Sequence, residues 1–213
     1  MIQIRCKNNK KTQKVEIGST LFDVFSAFDL KMTHGPVSAR VNNKVEGMHY
    51  RVYNSKDVEF LDMTSSSGSR AYTRTLFFVL CKAVQDIYPN TDVVIDIPVS
   101  NGFYVDIRLG RPVVEEDVNI LRRRMQEIID ARMPICRYMV PTEDAIALFQ
   151  EKGDVEKVKL LKTSGSIYTT YYKIGEYVDF YYGTLLTNTS GLYLFGLEKY
   201  YDGMLLRIPS LKD

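Results

Sequence analysis

VVIDIPVSNGFYVDIRL (Val93–Leu109) reads as two strands and the turn between them. Val93 to Ile97 and Phe103 to Leu109 are rich in β-branched and aromatic residues. Ser100-Asn101-Gly102 supplies the small, turn-tolerant residues of a hairpin. Working outward, the preceding segment from Ala71 to Tyr88 is helical in pattern and is stopped by Pro89. Its apolar positions, Leu76, Phe77, Val79, Leu80, Ala83, Val84 and Ile87, are dense enough for packing on more than one side. After the hairpin, Glu115, Glu116 and Asp117 open a second helix whose middle and end carry Arg122, Arg123, Arg124 and Arg132. Acid first and base last complements the helix dipole, so stabilisation accounts for most of that charge. Leu121, Met125, Ile128 and Ile129 form its buried stripe. Pro134 ends it, and Ile135 to Val140 returns as strand. Thr142 is placed to cap a helix from Glu143 to Gln150, and Asp154 one running to Lys162. From Ile167 to Ile208 the chain reads as mostly strand, with turns at Gly175, Gly183, Gly191 and Gly203.

Upstream, Ile2, Ile4 and Cys6 alternate with Gln3 and Arg5, and Val15 and Ile17 with Lys14 and Glu16, the period of half-buried strands. Lys7 to Thr12 is the turn between them; its lysines are either a solvated face or contacts for a phosphate backbone. Ser19 and Thr20 precede Leu21, Val24, Phe25 and Phe28, the stripe of a short helix capped by a hydroxyl. Ala39 and Val41, a turn at Asn42-Asn43-Lys44, then Val45, and a last strand from Val58 to Met63, complete a unit of about sixty residues. His34 reads as a loop residue and His49 as part of a surface turn. The polar run Thr64–Ser69 marks the one clear boundary. The expected domains are therefore 1–63, a linker at 64–70, and 71–213.

The chain has 213 residues, 45% hydrophobic and 25% charged, enough for two modest cores. With 28 Lys and Arg against 26 Asp and Glu, nucleic-acid binding has no global electrostatic basis and would need a local patch. Three cysteines, Cys6, Cys81 and Cys136, lack CxxC spacing and read as buried thiols in a reducing cytoplasm. No apolar run is long enough for a membrane span, and Met1-Ile-Gln-Ile-Arg is not a signal pattern. A soluble, cytoplasmic protein with no membrane partner is expected. No Gly-Lys dipeptide or GxSxG is present, so neither a phosphate loop nor a nucleophile elbow is encoded.

The first unit, with Asp23 on its helix and ARVNNKV (Ala39–Val45) at its second turn, resembles the TGS domain of threonyl-tRNA synthetases, a β-grasp or ubiquitin-like fold. The remainder resembles the editing domain, or second additional domain, of threonyl- and alanyl-tRNA synthetases over most of residues 70–208. The motifs that carry the likeness are IYP (Ile87–Pro89), NGFYVD (Asn101–Asp106), EEDVNILRRRMQEII (Glu115–Ile129), YVD (Tyr177–Asp179) within EYVDFYYG (Glu176–Gly183), and MLLRI (Met204–Ile208). The resemblance implies an α+β chain, a TGS-like β-grasp domain followed by an editing-like domain.

In that family two histidines four residues apart on the first helix, and a Cys-x-x-x-His pair after YVD, converge to hold zinc or orient a hydrolytic water. Matched on NGFYVD and YVD, those positions here are Arg74, Phe78, Tyr181 and Leu185. None is a good zinc ligand: phenylalanine and leucine cannot take a metal or move a proton, and arginine stays protonated. The only histidines, His34 and His49, precede residue 50. The degenerate pocket expected is Arg74, Phe78, Tyr104, Asp106, Asp179, Tyr181 and Leu185, with no catalytic residue and no metal. Asp106 and Asp179 are either hydrogen-bonded strand-end carboxylates or an acid-base pair. Cys81, one turn after Phe78, reads as packing. Tyr104, Tyr177 and Tyr181 are either core residues or an aromatic recess for a base or ribose, with Arg74 available to a phosphate.

A TGS-like domain followed by an editing-like domain without its ligands resembles the front of bacterial nucleoside kinases of the uridine kinase type. The expectation is a non-catalytic regulatory or binding region, inactive alone. ATP and magnesium would belong only to a kinase domain further along the polypeptide, which would be its partner. The pocket's expected ligand is a nucleoside, a nucleotide or tRNA. Two alternatives stand beside this: an aminoacyl-tRNA editing deacylase of threonyl-tRNA synthetase type, and an RNA-binding module.

Overall fold

The computed structural model describes residues 1–100 and 102–209 of a mixed α+β chain with three sheets. Asn101 of the NGFYVD turn, and the tail at 210–213, lie outside the described residues. The chain divides into two compact units, one made of residues 1–134 together with the chain from Gly183 onward, the other of Ile135–Tyr182. Among the described residues no helix is long and apolar enough to cross a membrane.

The first unit opens with β1 (Ile2–Cys6) and β2 (Thr12–Val15), an antiparallel pair in the register Ile2 to Val15 and Arg5 to Thr12. Period-two alternation buries Ile4, Cys6 and Val15 and leaves Gln3, Arg5 and Lys14 facing away. Helix α1 (Leu21–Ala27) starts at Thr20, whose hydroxyl accepts from the Asp23 backbone while the Asp23 carboxylate accepts from the Thr20 N–H. Strands β3 (Ser38–Val41) and β4 (Lys44–Gly47) turn through Asn42 and Asn43, both at positive φ, and β5 (Lys56–Leu61) enters the middle of the sheet. The order is β2-β1-β5-β3-β4, with β1 and β5 parallel. Leu21, Val24 and Phe28 of the helix region pack with Ile4, Val41, Val58 and Phe60 in one core.

Helix α2 (Ser66–Ile87) begins five residues before the position expected from its apolar pattern. The run expected to be a flexible linker is largely its first turn. Ser65 caps it by accepting from Gly68 N–H at 3.0 Å, so small polar residues here are helix-starting chemistry. Strands β6 (Val93–Val99) and β7 (Gly102–Ile107) follow, with Ser100 at positive φ in the turn. Helix α3 (Glu115–Asp130) is opened by Asp117, whose buried carboxylate accepts from the Val114 N–H, from Arg111 and from the Tyr88 hydroxyl.

The second unit pairs β8 (Cys136–Pro141) with β9 (Tyr168–Ile174), and β9 with β10 (Tyr177–Phe180). Helices α4 (Thr142–Glu151) and α5 (Val155–Thr163) supply Ala145, Phe149, Val158 and Leu161 to a core shared with Val178. Asp154 caps α5 as its sequence predicts. Thr142 does not cap α4: it is the first helical residue, and its hydroxyl bonds that of Thr169 at 2.9 Å. Cys136 is exposed rather than buried, because β8 is an edge strand with its first four residues in solvent.

Back in the first unit, residues 183–195 are not strand apart from a short 3-10 turn at Thr189–Gly191. Side chains hold this stretch: Thr189 donates to the Ile128 carbonyl and accepts from Met133 N–H, and Asn188 donates to the Arg132 carbonyl. Strands β11 (Gly196–Tyr200) and β12 (Gly203–Arg207) complete a sheet in the order β11-β12-β7-β6. Gly203 begins β12, and the turn itself is at Tyr201-Asp202, with Tyr201 at positive φ.

Candidate functional site

Thr75, in the third turn of α2, is fully buried; its hydroxyl donates to the Ala71 carbonyl at 2.7 Å and accepts from Leu186 N–H at 2.9 Å. That bond fixes the segment from Gly183 to Leu186 against the turns of α2 that bear Arg74 and Phe78. Gly183, at φ +122, comes so near the Arg74 guanidinium that a Cβ there would meet it at 2.7 to 3.1 Å. Phe78 is 0% exposed and Leu185 2% exposed. Arg74 thus meets the start of the segment that carries Leu185, and Thr75, next to Arg74 on α2, meets Leu186.

The residues at positions 74, 78 and 185 are a guanidinium and two apolar side chains. Phe78 and Leu185 offer no lone pair, and Arg74 offers donors only, so these side chains do not fit a zinc ion. Among the described residues no group of three or more His, Cys, Asp or Glu is placed to hold a metal ion.

Tyr104 and Asp106 face elsewhere. Phe103 and Phe77 of α2 meet with ring centroids 4.9 Å apart, and Val105 is fully buried, so alternation turns Tyr104 and Asp106 to the opposite face of the sheet. There the Tyr104 ring covers Gly203, whose missing Cβ would stand 2.7 Å from the phenol oxygen, and meets Tyr200 edge-on. Burial, then the charges of Asp106 and Asp202, push the Tyr104 hydroxyl above its ordinary pKa.

Asp179 and Tyr181 lie in the second unit. Asp179 is 8% exposed, and its carboxylate is fully engaged: Lys157 Nζ at 3.0 Å, the Tyr177 hydroxyl at 3.0 Å and Phe180 N–H at 2.7 Å. Lys157 also pairs with Asp154 at 2.8 Å and lies 5.6 Å from the Phe149 ring centre. Burial pulls the lysine pKa down, but Asp179 and Asp154 outweigh it and the net shift is upward. The ammonium stays protonated, and Asp179 acts as its counter-ion. Sequence reading passed over Lys157 and Thr75. The i, i+3 spacing of Asp154 and Lys157 on one helix was the available signal for the first; a mid-helix threonine among apolar residues was the signal for the second.

The two histidines sit in the first unit. His34 stacks on Tyr193, centroids 5.0 Å apart and planes at 6°. His49 meets Phe22 edge-on, and burial lowers its pKa. Tyr193 is anchored in turn: the Tyr72 hydroxyl accepts from the N–H groups of Tyr193 and Leu194 and donates to the Leu194 carbonyl, and burial pushes its pKa up to about 12.

No protein-family model matches the chain. It is similar to threonine–tRNA ligases. Against that of Clostridium kluyveri it is 28% identical over 191 residues, covering 89% of this chain and 30% of the ligase. Against that of Acetivibrio thermocellus the identity is 27% over 198 residues, 92% of this chain and 31% of the ligase. For Marinobacter nauticus it is 25% over 181 residues, 84% and 28%. The chain spans about 30% of the length of the curated relatives it matches. The likeness runs through nearly all of its own length and supports a threonyl-tRNA synthetase-like region.

Proposed function

We propose that the chain is an editing-type module of the threonyl-tRNA synthetase kind that binds the acylated 3′ end of an RNA and does not hydrolyse it. In this reading residues 1–63 are a TGS-like β-grasp domain, 64–70 the junction, and 71–213 an editing-like domain. The similarity to threonine–tRNA ligases supports the family side of the proposal. The observation that supports the chemical side is the Thr75 to Leu186 bond: the segment after YVD meets α2, and the residues at positions 74, 78 and 185 of these two stretches are not metal ligands. A guanidinium suits phosphate or carbonyl oxygen, and phenylalanine and leucine at positions 78 and 185 supply no base that could activate a water. Asp179 is spoken for by Lys157, Tyr177 and Phe180, which removes it as a free base.

The test is serylated tRNA mixed with the purified chain. Retention of the acylated tRNA without release of serine is the expected result. Release of serine that is lost in Asp106→Ala or Asp179→Ala would overturn the binding reading in favour of a deacylase.

A second reading concerns the longer polypeptide. The absence of metal ligands at positions 74, 78, 181 and 185 favours a regulatory region in front of a uridine kinase-type domain, with ATP and magnesium bound by that domain and a nucleoside or nucleotide as the ligand of this region. A GxxxxGK[ST] loop in the reading frame after Asp213 would support it, and a synthetase catalytic core there would exclude it.

A further inference from the structure

Among the described residues six strands stand at the edges of the three sheets: β2 and β4, β8 and β10, β6 and β11. An edge presents unpaired main-chain groups, and all of these but β8 are short, broken or covered. β2, β4 and β10 have four residues each, with Lys14 on β2 and Lys44 on β4. β6 is broken by a register shift between Val94 and Ile97 and carries Pro98. On β11 the Arg122 guanidinium of α3 donates to the Leu197 carbonyl. β8 has six residues in unbroken register with β9, from Cys136 opposite Lys173 to Pro141 opposite Tyr168, and its one charge is Arg137. Cys136, Arg137, Tyr138 and Met139 are exposed, Met139 at 65%. Ile167 and Tyr168, beside Thr142 and Pro141, add exposed apolar surface.

The main-chain groups that point away from β9 belong to alternate residues. Thr142 N–H donates to the Ile167 carbonyl at 2.9 Å, one step beyond the pair of Pro141 and Tyr168. Bonding alternates along an antiparallel ladder, so Tyr138 and Val140 bond β9 as Thr142 does, and Arg137, Met139 and Pro141 turn outward. Proline has no N–H, so within β8 the free side offers the donors of Arg137 and Met139 alone. Among the described residues no main-chain bond from another strand or loop reaches them.

A strand identical to β8 fits that pattern best in one register. Two copies paired antiparallel about Met139 would call on the N–H that Pro141 lacks. Paired about Arg137, they would set two guanidinium groups directly opposite each other, which repels. Paired about Tyr138, Arg137 of each copy lies opposite Met139 of the other, and both outward N–H groups of each meet carbonyls. Tyr138 then faces Tyr138 in a non-hydrogen-bonded pair, where side chains come closest. Each of these rings already stacks on Tyr171 of its own chain, with centroids 5.2 Å apart and planes at 18°. A second copy covers two exposed β8 edges at once, whereas a foreign strand covers one and brings another of its own. We propose that β8 is a self-pairing edge, through which two copies of the chain join antiparallel about Tyr138 and merge their three-stranded sheets across a two-fold axis.

Sedimentation equilibrium of the full chain, from about 1 μM to about 1 mM, is expected to show a monomer–dimer equilibrium with a Kd on the order of 100 μM, since a contact built on one strand is small. Met139→Pro removes an N–H that β9 does not use, so the fold, checked by circular dichroism, survives and dimerisation is lost. Met139→Lys sets an ammonium opposite Arg137 of the other copy, twice per dimer, and weakens association about tenfold or more. Met139→Glu sets a carboxylate there and holds the affinity within about threefold. In a Cys136→Ser background with added oxidised glutathione, Tyr138→Cys forms an intermolecular disulfide at least about tenfold faster than Met139→Cys, because only position 138 faces itself at disulfide distance. A monomer throughout, open-ended oligomers in place of a closed dimer, a folded Met139→Pro protein that still dimerises, equal losses with Lys and Glu, or equal disulfide rates would each overturn the proposal. If Met139→Pro does not fold, the Lys and Glu pair and the disulfide rates decide.

Discussion

Thr75 and Leu186, 111 residues apart in sequence, share a buried hydrogen bond of 2.9 Å in which a helix side chain receives the N–H of an irregular segment. Thr75→Val keeps the shape and removes the acceptor, leaving that N–H buried and unpaired. The expected cost is about 1 to 3 kcal/mol in denaturant unfolding. Thr75→Ser, which keeps the hydroxyl, recovers most of it. Equal losses in Val and Ser would mean that the methyl contacts, and not the bond, hold the 183–186 segment.

Asp117 yields a prediction about acid. Its hydrogen bonds from Arg111 are the largest cause of a carboxyl held far below the usual range; burial opposes them, and Val114 N–H and the Tyr88 hydroxyl assist. A folded pKa below the unfolded value means stability that is complete above about pH 4 and is lost as pH falls through and below that value. Arg111 is half in solvent, which trims the gain. Asp117→Asn should therefore cost about 2 kcal/mol near neutral pH and well under half of that near pH 2. Urea midpoints of the two proteins across pH would show the curves converging on the acid side; parallel curves would contradict the assignment.

The Lys157 and Asp179 pair is best examined by a double-mutant cycle. Both side chains are largely out of water, at 27% and 12% exposure, so removing one partner strands the other. Asp179→Ala alone should destabilise by about 2 to 3 kcal/mol, and adding Lys157→Met should restore about 1 kcal/mol of it. Strict additivity would show that the pair is not coupled.

How far the sequence carried these features differs by element. The alternation of residues 2–6 with the burial of Val15, the Asn42-Asn43 turn and the Asp154 cap were legible because each depends on local rules of alternation and capping; Ile17, read in the same pattern, lies beyond β2 and is 61% exposed. Motif spacing pointed to α2 and to the segment after YVD, and the structure shows these two stretches meeting through Thr75 with Leu186 and Arg74 with Gly183. Tyr104 and Asp106 show the limit: adjacency to a conspicuous motif does not say which face of a strand a residue takes. That face is fixed by Phe103 meeting Phe77, a contact between a strand and a helix far from it in sequence. Tyr193 and the aliphatics of residues 183–195 suggest strand. The segment is held instead by side-chain bonds from Thr189 and Asn188 to backbone groups some sixty residues away, which no local pattern encodes.

Gly68 separates the two accounts of the 64–70 segment most sharply. If that run were a flexible connector that happened to be helical, Gly68→Ala would stabilise the chain, since alanine is preferred to glycine in a helix by about 1 kcal/mol. The structure predicts the opposite sign. Gly68 is buried in the first turn of α2, and a Cβ there would stand 1.8 Å from the Asp62 carbonyl oxygen and 2.9 Å from the capping Ser65 hydroxyl. Both obstacles are close to the backbone, so relief requires moving the start of α2 away from the end of β5. Gly68→Ala should lower the thermal midpoint, at a cost of about 2 kcal/mol or more, and should also weaken the Ser65 cap. Ser67→Ala, next to it and without such a contact, should be near neutral. A stabilised Gly68→Ala protein would mean that the close approach of Asp62 to the helix is not maintained in solution.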